Sequence, residues 1–235
     1  MDMDDSERRI SEVIEATQVL RPPRQHLATF GVTNVKYYLV TVPSYQELVP
    51  GPEESVVREG RVISQRPTLV TPTYMLNLEG FGEHARQYMQ QLAQRFGPHS
   101  PGILYKYKND PGGMDIVGDS RHVVARRISE DLDRHGEDTA AVIIGADDLW
   151  DVSLLKFIYE YTNRSLAANV SEMHAMGMLD PDPATDVPRG VVRRIEEMFF
   201  QVEQGLDPST LKRELDRWGL FKHYEARFLG LFRKK

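Results

Sequence analysis

The sequence predicts an α+β protein, a mainly antiparallel sheet with helices packed on one side, followed by a helical C-terminal region. Three observations predict it. Short β-branched and aromatic runs bounded by glycine and proline recur as far as Val117; Ala140, Ala141, Val142, Ile143 and Ile144 form one unbroken apolar run; and beyond Asp147 every segment has helical spacing. The expected division is an α+β region over 1–146 and a helical region over 147–235 packed on it, or both integrated into one domain.

Composition narrows the class. A chain of 235 residues with 40% hydrophobic and 27% charged residues is an ordinary globular protein rather than a disordered one. The absence of cysteine excludes disulfides, thiolate metal sites and cysteine nucleophiles. No apolar run approaches the roughly 20 residues of a membrane span, and the acidic start MDMDDSERR is unlike a signal peptide, so a cytoplasmic location is expected. A net charge of −6 argues against a general nucleic-acid binder. The charge is uneven, however: from Val187 to Lys235 eleven basic residues face seven acidic ones, a basic end on an acidic body.

Taken in order, Ser6 to Leu20 reads as an amphipathic helix capped by Asp5 or Ser6, with Ile10, Val13, Ile14 and Thr17 on one face, ended by Arg21-Pro22-Pro23. Leu27–Phe30 and Val35–Val42 read as strands, the second with Tyr37, Leu39 and Thr41 on one face and Tyr38 and Val40 on the other. Pro43–Glu54 is a loop. Ser55–Arg58 and Arg61–Arg66 flank Glu59-Gly60 as a hairpin. A short helical turn over Thr73–Leu78 precedes a helix from Gly82 to Phe96, striped by Ala85, Tyr88, Met89, Leu92 and Phe96.

Ile103–Lys108 and Met114–Val117 flank Asn109-Asp-Pro-Gly-Gly113, the strongest hairpin signal in the chain. Tyr105 and Tyr107 alternate with Lys106 and Lys108, which suits aromatics packed under a helix or a strand that stacks single-stranded nucleic acid. The helix Arg121–His135 buries Val124, Ile128 and Leu132 and stops at Gly136. After the strand 140–144, a helix to Leu166 carries Trp150, Leu154, Phe157, Ile158 and Tyr161, widened by Val152, Leu155 and Tyr159 into a stripe that must be surrounded. Helices over Asn169–Met178, Val187–Gln204, Ser209–Trp218 and Leu220–Phe232 follow, with Asp180–Pro188 an exposed linker and Asp207-Pro208 a cap with proline in the first turn.

Phosphate-loop, G-x-G-x-x-G, G-x-S-x-G and H-E-x-x-H patterns are absent, and no cofactor or metal set is indicated. Two readings of function remain. In the first, a non-catalytic accessory or regulatory factor binds a macromolecule through its C-terminal helices. The partner would be a second copy, another protein, or RNA or the ribosome, met by Arg213, Arg217, Phe221, Tyr224, Arg227 and Phe228, residue types enriched at interface hot spots. In the second, Asp147, Asp148 and Asp151 follow the apolar strand and serve a metal-dependent hydrolase or phosphoryl-handling enzyme, with Arg121 and His122 holding an anion in the first turn of a helix. The same aspartates suit the cap and first turn of the next helix.

Overall fold

The computed structural model describes residues 3–47, 51–78 and 82–232. Five strands form one sheet in the order β1-β7-β2-β3-β6: β1 Gln18–Arg21, β2 Thr33–Thr41, β3 Ser55–Ser64, β6 Tyr107–Val117 and β7 Ala140–Ile144. β2 and β7 run parallel and every other neighbouring pair antiparallel. A two-stranded sheet pairs β4 Thr68–Val70 with β5 Gly102–Leu104. The helices are α1 Met3–Ala16, α2 Pro72–Leu76, α3 Glu83–Phe96, α4 Arg121–Arg134, α5 Trp150–Ala175, α6 Arg189–Glu203, α7 Pro208–Arg217 and α8 Phe221–Gly230. The α+β class with a helical C-terminal region is therefore the fold of this chain.

Two compact units divide it. The first takes Met1–Arg66 and Tyr105–Asn169, the second Pro67–Leu104 and Val170–Lys235. This is not a cut at residue 146, because β7 and most of α5 complete the sheet of the first unit while the 67–104 segment joins the later helices.

In the first unit, alternation along the inner strands feeds two cores, one on each face of the sheet. Val35, Tyr37, Leu39, Ala141 and Ile143 pack against Leu154, Phe157 and Tyr161 of α5. Val40, Ala140, Val142 and Ile144 pack against Val124, Ala125 and Leu132 of α4. Helices thus cover both faces, not one. β7 is buried throughout, as its apolar run requires. α5 is not surrounded: Leu155 and Tyr159 are 63% and 67% exposed, since only one side of the helix meets the sheet.

Two expected hairpins are single strands. β3 runs straight through Gly60, which pairs with Tyr37 of β2. β6 runs through Pro111, opposite Gly60, with a bulge at Gly112 and Gly113. Turn letters mislead here because β6 is an edge strand, where proline and a bulge are tolerated and discourage further pairing.

Elsewhere polar side chains decide the path. α1 starts at Met3, so Asp5 and Ser6 lie within it, and it stops at Ala16 rather than Leu20. Lys156 takes the carbonyl oxygens of Ile14 and Thr17, and Arg21 is buried on Asp133 and the carbonyls of Glu137 and Ala140, fixing β1 beside β7. Leu27–Phe30 is not a strand; the Leu27 amide donates to Ser165 and Asn169 donates to the Leu27 carbonyl, replacing sheet partners. α5 consequently continues through Leu166 and Asn169, where the sequence suggested two helices.

The second unit has its own core of Met173, Val191, Ile195, Phe199, Leu211, Leu215, Trp218, Tyr224 and Phe228. Asp207 caps α7 through the Ser209 amide, with Pro208 in the first turn, as expected. Asp180–Pro188 is not a loose linker: Asp182 accepts from the amides of Ala184 and Thr185, its own amide reaches the Val187 carbonyl, and Val187 is buried. No side chain of α3 is fully buried, and Tyr88 and Phe96 are exposed.

Candidate functional site

The parallel pair β2 and β7 ends at one place in the first unit, where the Gly145 amide donates to the Val40 carbonyl at 3.1 Å. Gly145 then turns the chain tightly onto α5. A Cβ there would lie 2.5 Å from Ser153 Oγ and 2.7 Å from its Cβ, so no larger residue fits without moving the backbone. The turn sets Ala146, Asp147 and Asp148 at the lip of a cleft of about 210 Å³. Ser44 after β2, Arg121 at the start of α4, and Arg9, Glu12, Val13 and Ala16 of α1 also line it. Open α/β sheets place ligands beyond the carboxyl ends of parallel strands for a physical reason that holds here: the chains leave the sheet and the loops diverge.

Asp147 is committed. Its carboxylate accepts from Thr41 Oγ1 at 2.8 Å, from the Ser44 hydroxyl at 2.9 Å and amide at 3.2 Å, and from Arg58 at 2.5 Å. Burial opposes its charge, but these four donors prevail and hold its pKa below the ordinary 3.8. It is a fixed anion, with the Arg58 cation almost as buried as itself. It does not cap α5, which starts only at Trp150.

Asp148 faces outward. It lies 2.5 Å from Ser44 Oγ, sharing that one hydroxyl proton with Asp147, and pairs with Arg9 at 3.6 Å across the cleft, both side chains well exposed. Arg121 is half-buried in the lining and has no carboxylate partner among the described residues. It occupies the first position of α4, whose N-cap, Ser120, makes no side-chain capping bond. The segments that follow β2 and β7, the first residue of α4 and one side of α1 thus bring two arginines, two aspartates and a serine together.

Asp151 and His122 do not join them. Asp151 is exposed and accepts from the Val152 amide at 3.0 Å; His122 is exposed outside the lining. The three aspartates therefore do not converge as a metal-binding set, and among the described residues no group of three His, Asp or Glu does. The sequence pointed to Asp147, Asp148 and Arg121 but missed Arg9, Thr41, Ser44 and Arg58. The close spacing of two hydroxyls at a strand end, Thr41 and Ser44, is the one local signal that could have drawn attention to them; Arg9 and Arg58 are brought in by topology alone.

At the C-terminal helices the aromatic set is largely core. Tyr224 and Phe228 are buried, and Phe221 is half-buried under the Lys212 ammonium, 3.9 Å from its ring. Arg227 pairs with Glu196 at 2.6 Å and lies over Phe199, and Arg217 pairs with Glu214 at 3.8 Å. Arg213 is exposed, as are Phe200, Leu229 and Phe232. Arg233, Lys234 and Lys235 lie outside the described residues. The tyrosines of the 105–108 stretch pack beneath α5, Tyr105 donating to Asn169 and Tyr107 bonded to Thr162, so their rings are not open for base stacking.

Comparison with protein-family models, with curated proteins and with solved structures finds no match to this chain. No helix of the described residues is long and apolar enough to cross a membrane.

Proposed function

We propose that this protein is a non-catalytic accessory or regulatory module that binds a small anionic ligand in the cleft at the ends of β2 and β7. The observation that carries this reading is Arg121, a half-buried cation in the lining that lacks a carboxylate partner among the described residues. Arg9, shared with Asp148, adds a second cation that an oxyanion can recruit. Binding fits this lining better than catalysis, because Asp147 is held as an anion by four donors and is poorly suited to general base work. Calorimetric titration with inorganic phosphate, pyrophosphate and a nucleoside triphosphate tests the reading. Heat that disappears in Arg121→Ala supports it; no heat with any of the three probes removes it.

The partner reading keeps one favouring observation, that Phe200, Leu229, Phe232 and Arg213, all in one basic stretch of chain, are exposed. Light scattering of the pure protein, repeated with Phe232→Ser and Leu229→Ser, tests it. A strict monomer that captures neither protein nor RNA from its host would remove this second reading.

A further inference from the structure

We propose that α1 is a movable strap across this cleft, clasped through Arg9 on Asp148 and pivoting at Thr17. α1 supplies one wall of the cleft through Arg9, Glu12, Val13 and Ala16, yet it is scarcely packed. Among its described side chains none is buried: Ser6 and Val13 are half-covered, and Ile10 and Ile14 stand 38% and 42% exposed. A 14-residue helix with so little burial is close to marginal on its own, so its detachment is a local event rather than part of global unfolding.

Its two ends are held very differently. At the C-terminal end Lys156 binds the carbonyls of Ile14 and Thr17 at 2.7 and 2.8 Å, and the Thr17 hydroxyl, buried, meets Ser153 Oγ at 2.8 Å. These contacts make a pivot. Toward the other end, the described ion pair joining α1 to the opposite wall is Arg9–Asp148, 3.6 Å long with its side chains 44% and 62% exposed. Such a pair is weak and easily exchanged. A bound oxyanion between Arg9 and Arg121 would take the place of Asp148 for Arg9 and draw the strap down, so occupancy and closure are coupled. The gating role rests on the cleft being a binding site; the movement of α1 does not.

Because the chain has no cysteine, Ala146→Cys places a single thiol in the cleft. Its reaction with a bulky thiol reagent reports opening. Adding Arg9→Ala should speed modification by about threefold, the scale of an exposed ion pair. Hydrogen exchange on the unaltered protein should show the α1 amides exchanging far faster than those of α4, whose Val124, Ala125 and Leu132 are buried. Equal modification rates with and without Arg9, or α1 exchange as slow as that of α4, would overturn the strap. Pyrophosphate titration of the unaltered protein reports the ligand reading separately, so each can fail without the other.

Discussion

Tyr37 lays its ring across the backbone of Gly60 on the neighbouring strand. The two residues are direct partners in the β2–β3 ladder, Tyr37 is 1% exposed, and a Cβ on Gly60 would lie 2.6 Å from Tyr37 Cζ. The glycine is there so that a strand can pass beneath an aromatic ring, not so that the chain can turn. Gly60→Ala should cost about 1–3 kcal/mol, the range for forced overpacking. Gly51→Ala, where a Cβ meets nothing within 4 Å, is the comparison and should be near neutral. Urea midpoints measure both.

The Arg58–Asp147 pair makes the stability of the first unit depend on pH in the acid range. Removing one partner from a largely buried ion pair leaves the other uncompensated, and Asp147→Asn should cost about 3 kcal/mol. The sign with pH follows from its depressed pKa. The carboxylate contributes stability above its unfolded value and loses it as pH falls below about 3.8 toward its lower folded value. Denaturant melts stepped downward from neutral pH should show the normal protein losing stability below that point, and a shallower loss in Asp147→Asn.

At the alkaline end two tyrosines of the α5 core act, Tyr105 beneath the helix and Tyr161 on it. Burial pushes Tyr105 and Tyr161 up to about 12 from an ordinary 10.0. The neutral phenols are favoured in the folded state, so their stabilisation is complete below pH 10 and is lost as pH rises toward 12. A tyrosinate absorbance titration should show these groups ionising late. Tyr105→Phe and Tyr161→Phe should each reduce the alkaline loss.

In the second unit, Phe228→Ala should cost about 3–5 kcal/mol because Phe228 is a core residue, whereas Arg213→Ala should stay within about 0.5 kcal/mol. Denaturant midpoints decide it. Equal, small effects would mean that the C-terminal aromatics are surface anchors after all.

What the sequence made legible was governed by local physics. Five apolar residues in a row demanded a strand covered on both faces, and β7 is that strand; Asp207-Pro208 demanded a helix start, and α7 starts there. What it concealed was settled by distant partners. Gly60, Pro111 and Gly112 carry turn chemistry, yet their roles come from Tyr37 and from the edge position of β6. Ser165 and Asn169 fall at the expected junction of two helices, yet they lie within one helix and serve the segment at Leu27. In the cleft, Asp147 and Arg121 were visible beside a strand end and a helix start, while Arg9 and Arg58 come from elsewhere in the unit.

The order of strands in the sheet also fixes when the first unit can form. Gln18 of β1 pairs with Ile144, and Lys36 through Val40 of β2 pair with Ala140 through Ile144, so β7 is the seam that two earlier strands await. Until it leaves the ribosome, β2, β3 and β6 can pair with one another while the edge of β2 that β7 will take stays open, and β1 has no neighbour. Long-range pairing of this kind makes folding slow, and exposes unpaired strand edges during synthesis. Substitutions in Ala140–Ile144 should therefore lower the yield of folded protein in a growing cell more than their cost in equilibrium stability would suggest.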